Sequence, residues 1–351
     1  MQIARRHWVQ GAAAVGLGAA GLGAPRRAFA VEDLVASPPA GFVPASYPGR
    51  VVKVEKSGDF ASMMQPNQLW PKPEIARALL ERAMTELTGS PNLVAAMRKV
   101  IHPEDRVAIK PNGIAGQVGA TMAVNFELIL PLVEAVIAVG VKPENVMVYE
   151  QYYLTGCRVG VKGYDLPKGV KTANHGNANH PMPRIAVYPG IRTRYCKQLL
   201  DATAVIDMTQ IKDHSICGYT GTLKNITHGT IDNPEEHHAT HASPHIALLY
   251  NHPIVTSRVR LHVTDAFKIM YDKGPLDKDP ATRIPHGAVY VSTDPVAMDV
   301  FGASLVEKER KERGLPTLTE ARRPARYLET AADLGLGVGR LDAVRLRSFV
   351  V

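Results

Sequence analysis

The chain has 351 residues, with 41 Lys and Arg against 33 Asp and Glu and a formal net charge of +8. No Lys/Arg-rich run interleaves with aromatic residues, which argues against nucleic acid as a partner. The three cysteines, Cys157, Cys196 and Cys217, are spaced by 39 and 21 residues and match no C-x-x-C metal or iron–sulfur pattern; their odd number leaves at least one thiol outside any intramolecular disulfide.

In chain order, the first feature is the pair Arg5-Arg6, followed by Trp8, Val9 and a soft Ala/Gly-rich apolar run to Ala24, then Arg26, Arg27 and the triplet Ala28-Phe29-Ala30. This resembles a twin-arginine export signal with an A-x-A cleavage site. It departs from the usual pattern at Ala4, Trp8, Val9 and Gln10. Residues 1–30 are then the signal peptide, the mature chain starts near Val31 with 37 basic against 33 acidic residues, and the expected location is periplasmic. The apolar run is shorter than the roughly 20 residues of a membrane span, so none is expected in the mature form. Proteins taking this route are exported folded and often carry a cofactor, here of unknown identity.

Residues 31–50 are rich in Pro, Ala and Ser and read as an extended lead-in, with residues 51–351 as one α/β domain. Val51–Val54 is a predicted strand. Residues 73–87 and 91–100 are predicted helices, the second with Ser90 as N-cap and Pro91 in the first turn. A β-α-β pattern follows: strand Arg106–Lys110, helix Asn125–Val139, strand Asn145–Tyr149. Thr203–Met208, Val259–Val263 and Ala288–Ser292 have the unbroken apolar character of buried strands. Pro295–Arg313 is a helix capped by Asp294, Ala325–Leu334 another, and Val344–Val350 a last strand. The alternation predicts a mainly parallel sheet with helices on both faces, in which ligands bind beyond the carboxyl ends of the strands.

Those ends are polar. VAIKPN at 107–112, IKDHSICGYTGTLKN at 211–225 and STDPVAMD at 292–299 stand there in order, and together they resemble the domain-of-unknown-function family 362, whose members are exported proteins. The resemblance supplies candidate residues and no reaction. It implies a catalytic set of Lys110, Lys212, His214, Lys224 and Asp299, with Asn112, Gly218, Thr220, Gly221, Thr222 and Asn225 binding a cofactor or substrate.

The residues themselves admit two readings. A Gly/Thr turn flanked by lysines suits a phosphate or carboxylate, so an anionic small molecule is the expected ligand; the plain alternative is a solvated surface turn. Lys110 is either a desolvated base or anion anchor, or a side chain reaching water at the sheet edge. His214 has the ordinary pKa suited to acid–base work near neutrality. Asp299 lies off the apolar stripe of its helix and faces a cleft or solvent. In NPEEHHATHASPH (233–245) a short α-helix from Asn233 would set His237 and His241 one turn apart, a spacing that can hold a divalent metal if a third ligand comes from elsewhere; the plain alternative is a solvated helix. Two functions remain: an exported enzyme using Lys/His acid–base chemistry, and a periplasmic metal- or ligand-binding protein without turnover.

Overall fold

A computed structural model describes residues 31–114, 119–152, 154–176 and 180–351. The twin-arginine segment lies outside them. Eleven strands are present among the described residues: β1 (Arg50–Glu55), β2 (Val107–Pro111), β3 (Val146–Glu150), β4 (Lys171–Asn174), β5 (Ile185–Tyr188), β6 (Ile191–Thr193), β7 (Ala204–His214), β8 (Gly218–Thr220), β9 (Val259–Met270), β10 (Arg283–Ser292) and β11 (Arg345–Val350). Nine form one sheet in the order β11-β1-β10-β9-β7-β2-β3-β4, with β8 folded back on β7; β5 and β6 make a separate hairpin. The central run β9-β7-β2-β3-β4 is parallel. β10 is antiparallel to both its neighbours, so the sheet is mixed but mostly parallel.

Helices cover both faces, as expected. On one, Pro73–Thr88 buries Ala76, Leu79, Leu80, Ala83, Met84 and Leu87, a stripe with helical spacing, and packs with Phe126–Val139 over Val107, Ile109, Ile206 and Met208. On the other, Thr222–His228, His245–Asn251 and Pro295–Glu312 pack over Ala108, Val205 and Ala288. No helix of the described residues is long and apolar enough to cross a membrane.

Two elements differ from the sequence reading for local reasons. The helix predicted over 91–100 runs only from Leu93 to Met97, because Asn92, not Ser90, caps it: its side-chain oxygen accepts from Ala95 N at 2.9 Å. β7 and β9 run on well past their apolar stretches. β7 stays buried along all eleven residues, so its polar half, Thr209 to His214, continues the strand inside the protein. Its register with β8 sets Lys212 opposite Thr220 and turns the chain back beneath the sheet edge.

Candidate functional site

The carboxyl ends of β2, β3 and β7 meet at one edge, and a cavity of about 300 Å³ opens there. Asn112 and Ile114 line it from the end of β2, Glu150 from β3, His214 from the end of β7, Ile216 from the turn after it, Thr220 from β8, and Lys224, Asn225 and His228 from the following helix. Pro275 and Leu276 close it from beyond β9. Segments more than 100 residues apart in sequence thus share one cleft.

A continuous hydrogen-bonded circuit runs from the cavity wall into the sheet. The Lys110 ammonium donates to Glu150 Oε1 at 2.6 Å and Asn225 Oδ1 at 3.0 Å. Lys212 donates to Asn112 Oδ1 at 2.7 Å and to the Met122 carbonyl at 3.2 Å. Asn112 passes the connection to Asn225 Oδ1 at 3.2 Å, and Asn225 donates to Asp207 Oδ1 at 2.6 Å. Asp207 in turn holds the His262 Nδ1 at 3.0 Å. Lys110 and Lys212 are wholly buried, so they are anchors beneath the cavity rather than walls of it. Of the four basic groups in the expected catalytic set, His214 and Lys224 line the cavity and Lys110 and Lys212 lie beneath it. Glu150 supplies the counter-charge: burial pushes its carboxyl up, but Lys110 and the backbone N–H groups of Tyr152 and Gly113 hold it lower than usual, so it is ionised. Burial also lowers Lys212, to about 7.

Gly229 belongs to the same construction. A Cβ there would stand 2.5 Å from the Asn225 carbonyl and 2.7 Å from Lys110 Nζ, so a side chain would break the circuit.

His214 and Lys224 do face the cavity. His214 Nδ1 accepts from the backbone N–H groups of Ile216 (3.1 Å) and Cys217 (3.3 Å), which places the proton of the neutral ring on Nε2. Its ring stacks on His238 at 5.4 Å, and burial with the Lys224 charge drives its pKa well below the ordinary histidine range. At neutral pH it is therefore a fixed Nε2–H donor, which corrects the expectation of an ordinary titrating acid–base histidine. Lys224 is lowered as well, by burial and by Lys110. Its Nζ makes no hydrogen bond among the described residues, and the buried Thr220 Oγ1 in the same cavity also lacks a partner.

The Gly221–Leu223 part of the turn takes a different form from the expected anion cradle, because the donors of Thr222 and Leu223 are already satisfied. Asp299 accepts from Thr222 N (2.6 Å), Thr222 Oγ1 (2.9 Å) and Leu223 N (3.0 Å). Asp299 faces neither cleft nor solvent; it is a buried carboxyl, pushed up to about 7 by burial, that caps the helix Thr222–His228 from another element. Gly221 allows the approach, since a Cβ there would lie 2.1 Å from Asp299 Oδ1. Gly218 and Thr222 likewise sit behind the cavity wall, Gly218 against the Arg323 carbonyl and Thr222 on Asp299. Asp294 is the helix cap expected of it, accepting from Ala297 N at 2.9 Å.

The histidine segment forms a 3₁₀ helix, Glu236–Ala242, rather than an α-helix. With three residues per turn, positions four apart are not on one face. His237 Nδ1 lies 3.1 Å from His245 Nδ1, while His241 Nδ1 donates to the Ile216 carbonyl at 3.0 Å. Among the described residues no group of three or more His, Cys, Asp or Glu side chains is placed to hold a metal ion. All three cysteines are free, buried thiols.

Glu150 and His238 were missed by sequence reading. Glu150 carried a signal, as the carboxylate at the end of a parallel strand; His238 carried none, since only the 3₁₀ turn brings it to His214.

The fold and this cleft define an α/β protein with a cavity at the carboxyl edge of a mostly parallel sheet. The chain matches DUF362, described as a domain of unknown function, over residues 107–304, more than half its length, and it belongs to that family. Those residues span β2 to the helix after β10, so they hold the whole cavity. No curated protein matches the chain.

Proposed function

We infer that the protein binds a small anionic molecule in this cavity and acts on it as an enzyme, Lys224, His214 and Thr220 being the groups that contact it. One observation carries the reading: two cavity-lining side chains, both at least nine-tenths buried, leave their polar ends without a protein partner among the described residues, the Thr220 hydroxyl fully buried and the Lys224 amine at the cavity. A fully buried hydroxyl is normally satisfied, and an anion paired with the Lys224 amine would supply the missing acceptor. The apolar share of the lining, from Ile114, Ile216, Pro275 and Leu276, favours an organic carboxylate over a bare inorganic ion.

Succinate and inorganic phosphate are suitable probes. Binding at a hundred-fold excess over Kd stabilises the fold by about 2.7 kcal/mol, which a thermal shift resolves. The shift should vanish in Lys224→Met; if neither probe raises Tm, or the variant responds like the parent chain, the cavity is not an anion site. Turnover of a carboxylated or phosphorylated metabolite separates the enzyme from a binding protein without turnover.

The reading includes export in folded form by the twin-arginine route, supported by Arg5, Arg6 and the apolar run that follows. Replacing both arginines by lysine should hold the precursor in the cytoplasm, and processed periplasmic protein from that variant would refute the route.

A further inference from the structure

Lys224 differs from the other two lysines of the cleft in what surrounds its amine. Lys110 and Lys212 each donate to two or more acceptors, whereas Lys224 Nζ has none among the described residues and faces a partly apolar cavity. Such a place serves an ammonium badly: burial favours the neutral amine, and the nearby Lys110 charge acts in the same direction. A desolvated lysine next to a second cation is the arrangement that frees an amine lone pair for attack on a carbonyl carbon. The other two groups at the cavity are suited to the rest of such a substrate. His214 presents a fixed Nε2–H, and Thr220 an unpartnered hydroxyl that can both donate and accept.

We propose that Lys224 forms an imine with a small 2-oxo acid, whose carboxylate is held by His214 and Thr220. This rests on the reading of the cavity as an anion site and narrows the ligand to carbonyl compounds. The Nζ lone pair forms the C–N bond as the carbonyl π bond breaks, and one proton moves from nitrogen to oxygen to give the carbinolamine. The second N–H proton then joins the departing hydroxyl. Amine and carbonyl become an imine and one water, with no change of oxidation state. The reaction class supported is one in which an imine withdraws electrons from the neighbouring carbon.

The test uses the mature chain at neutral pH with pyruvate or glyoxylate and sodium cyanoborohydride, followed by peptide mass spectrometry. Lys224 should gain the mass of the oxo acid less one oxygen, saturably, and ahead of the exposed Lys162 and Lys311. Succinate, which has carboxylates and no carbonyl, should slow the labelling. Lys224→Met, which keeps the bulk and has no amine, should keep the circular-dichroism spectrum of the parent chain while the saturable labelling disappears. The imine is overturned if Lys224 stays unmodified with both oxo acids, or is modified no faster than Lys162 and Lys311. A succinate-induced rise in Tm in that same protein would leave the anion site standing without the imine, so the two failures are distinguishable.

Discussion

The two ends of the parallel strands both bury charge, and they do so in opposite ways. At the amino end, Arg260 forms a two-pronged pair with Asp105, at 2.6 and 3.0 Å, and its two terminal nitrogens also donate to the carbonyls of Val100 and Thr203, with only Nε left unpaired. Arg258 beside it donates to the carbonyls of Ala202, Ile254 and Leu200. At the carboxyl end Lys110, Asn112, Asn225 and Glu150 are joined in a circuit, but beside them the Thr220 hydroxyl has no partner and the Lys224 amine meets no protein acceptor among the described residues. Charge whose hydrogen bonds are filled serves the fold; charge left open at a cavity is available to something else. The difference separates two sites that composition and burial alone would score alike.

That contrast can be broken experimentally. The largest effect is expected at the amino end. Asp105→Ala leaves Arg260 buried without its partner and should reduce unfolding free energy by about 3–5 kcal/mol in urea titrations, with succinate binding unchanged. A loss of binding there would show that the two ends are not separate. Next, Asp299→Ala strips Thr222 and Leu223 of their acceptor and should lower stability by about 1–3 kcal/mol. Because it also loosens the helix bearing Lys224, it should weaken ligand binding, and a variant that binds normally would detach the cap from the site.

A pH dependence comes third. Lys212 is lowered to about 7 in the folded chain, against about 10.4 unfolded. Between those values the unfolded chain holds the extra proton, so this group makes stability rise with pH, by at most about 1.4 kcal/mol per pH unit. Below 7 both states are charged and above 10.4 both are neutral, so the slope disappears outside the window. Comparing Lys212→Met with the parent chain between pH 7 and 9 should show a flatter slope, and identical slopes would sink the assignment. The smallest effect belongs to Thr220→Val. Removing a buried hydroxyl that has no partner should leave the ligand-free chain as stable or up to about 1 kcal/mol more so, while lowering the succinate shift. Clear destabilisation would mean that the hydroxyl is already bonded.

Sequence patterns made some parts legible and not others. The parallel strands were readable because Val, Ile and Ala fill them, and Asp294 as a cap because it precedes Pro295 at a helix start. The three motifs that converge on the cleft were readable from their position at strand ends. The role of Asp299 was not, because its partners Thr222 and Leu223 lie more than 70 residues away and no local pattern carries such a pairing. The polar half of β7 escaped for a related reason: Gln210, Lys212 and His214 look like a loop until their buried partners are known. The His237–His241 spacing misled because helical pattern alone does not distinguish 3₁₀ from α over so few residues.

The Asp299 cap has a consequence for the order in which the protein takes shape. Until residue 299 has been made and the helix Pro295–Glu312 has docked, the turn at Gly221–Thr222 lacks its acceptor, and the helix bearing Lys224 is short enough to need one. Contacts this distant in sequence form late, after the intervening chain has closed its loop. The cleft is therefore expected to close late in folding, and a chain stopped short of residue 299 would lack the acceptor that caps the helix bearing Lys224.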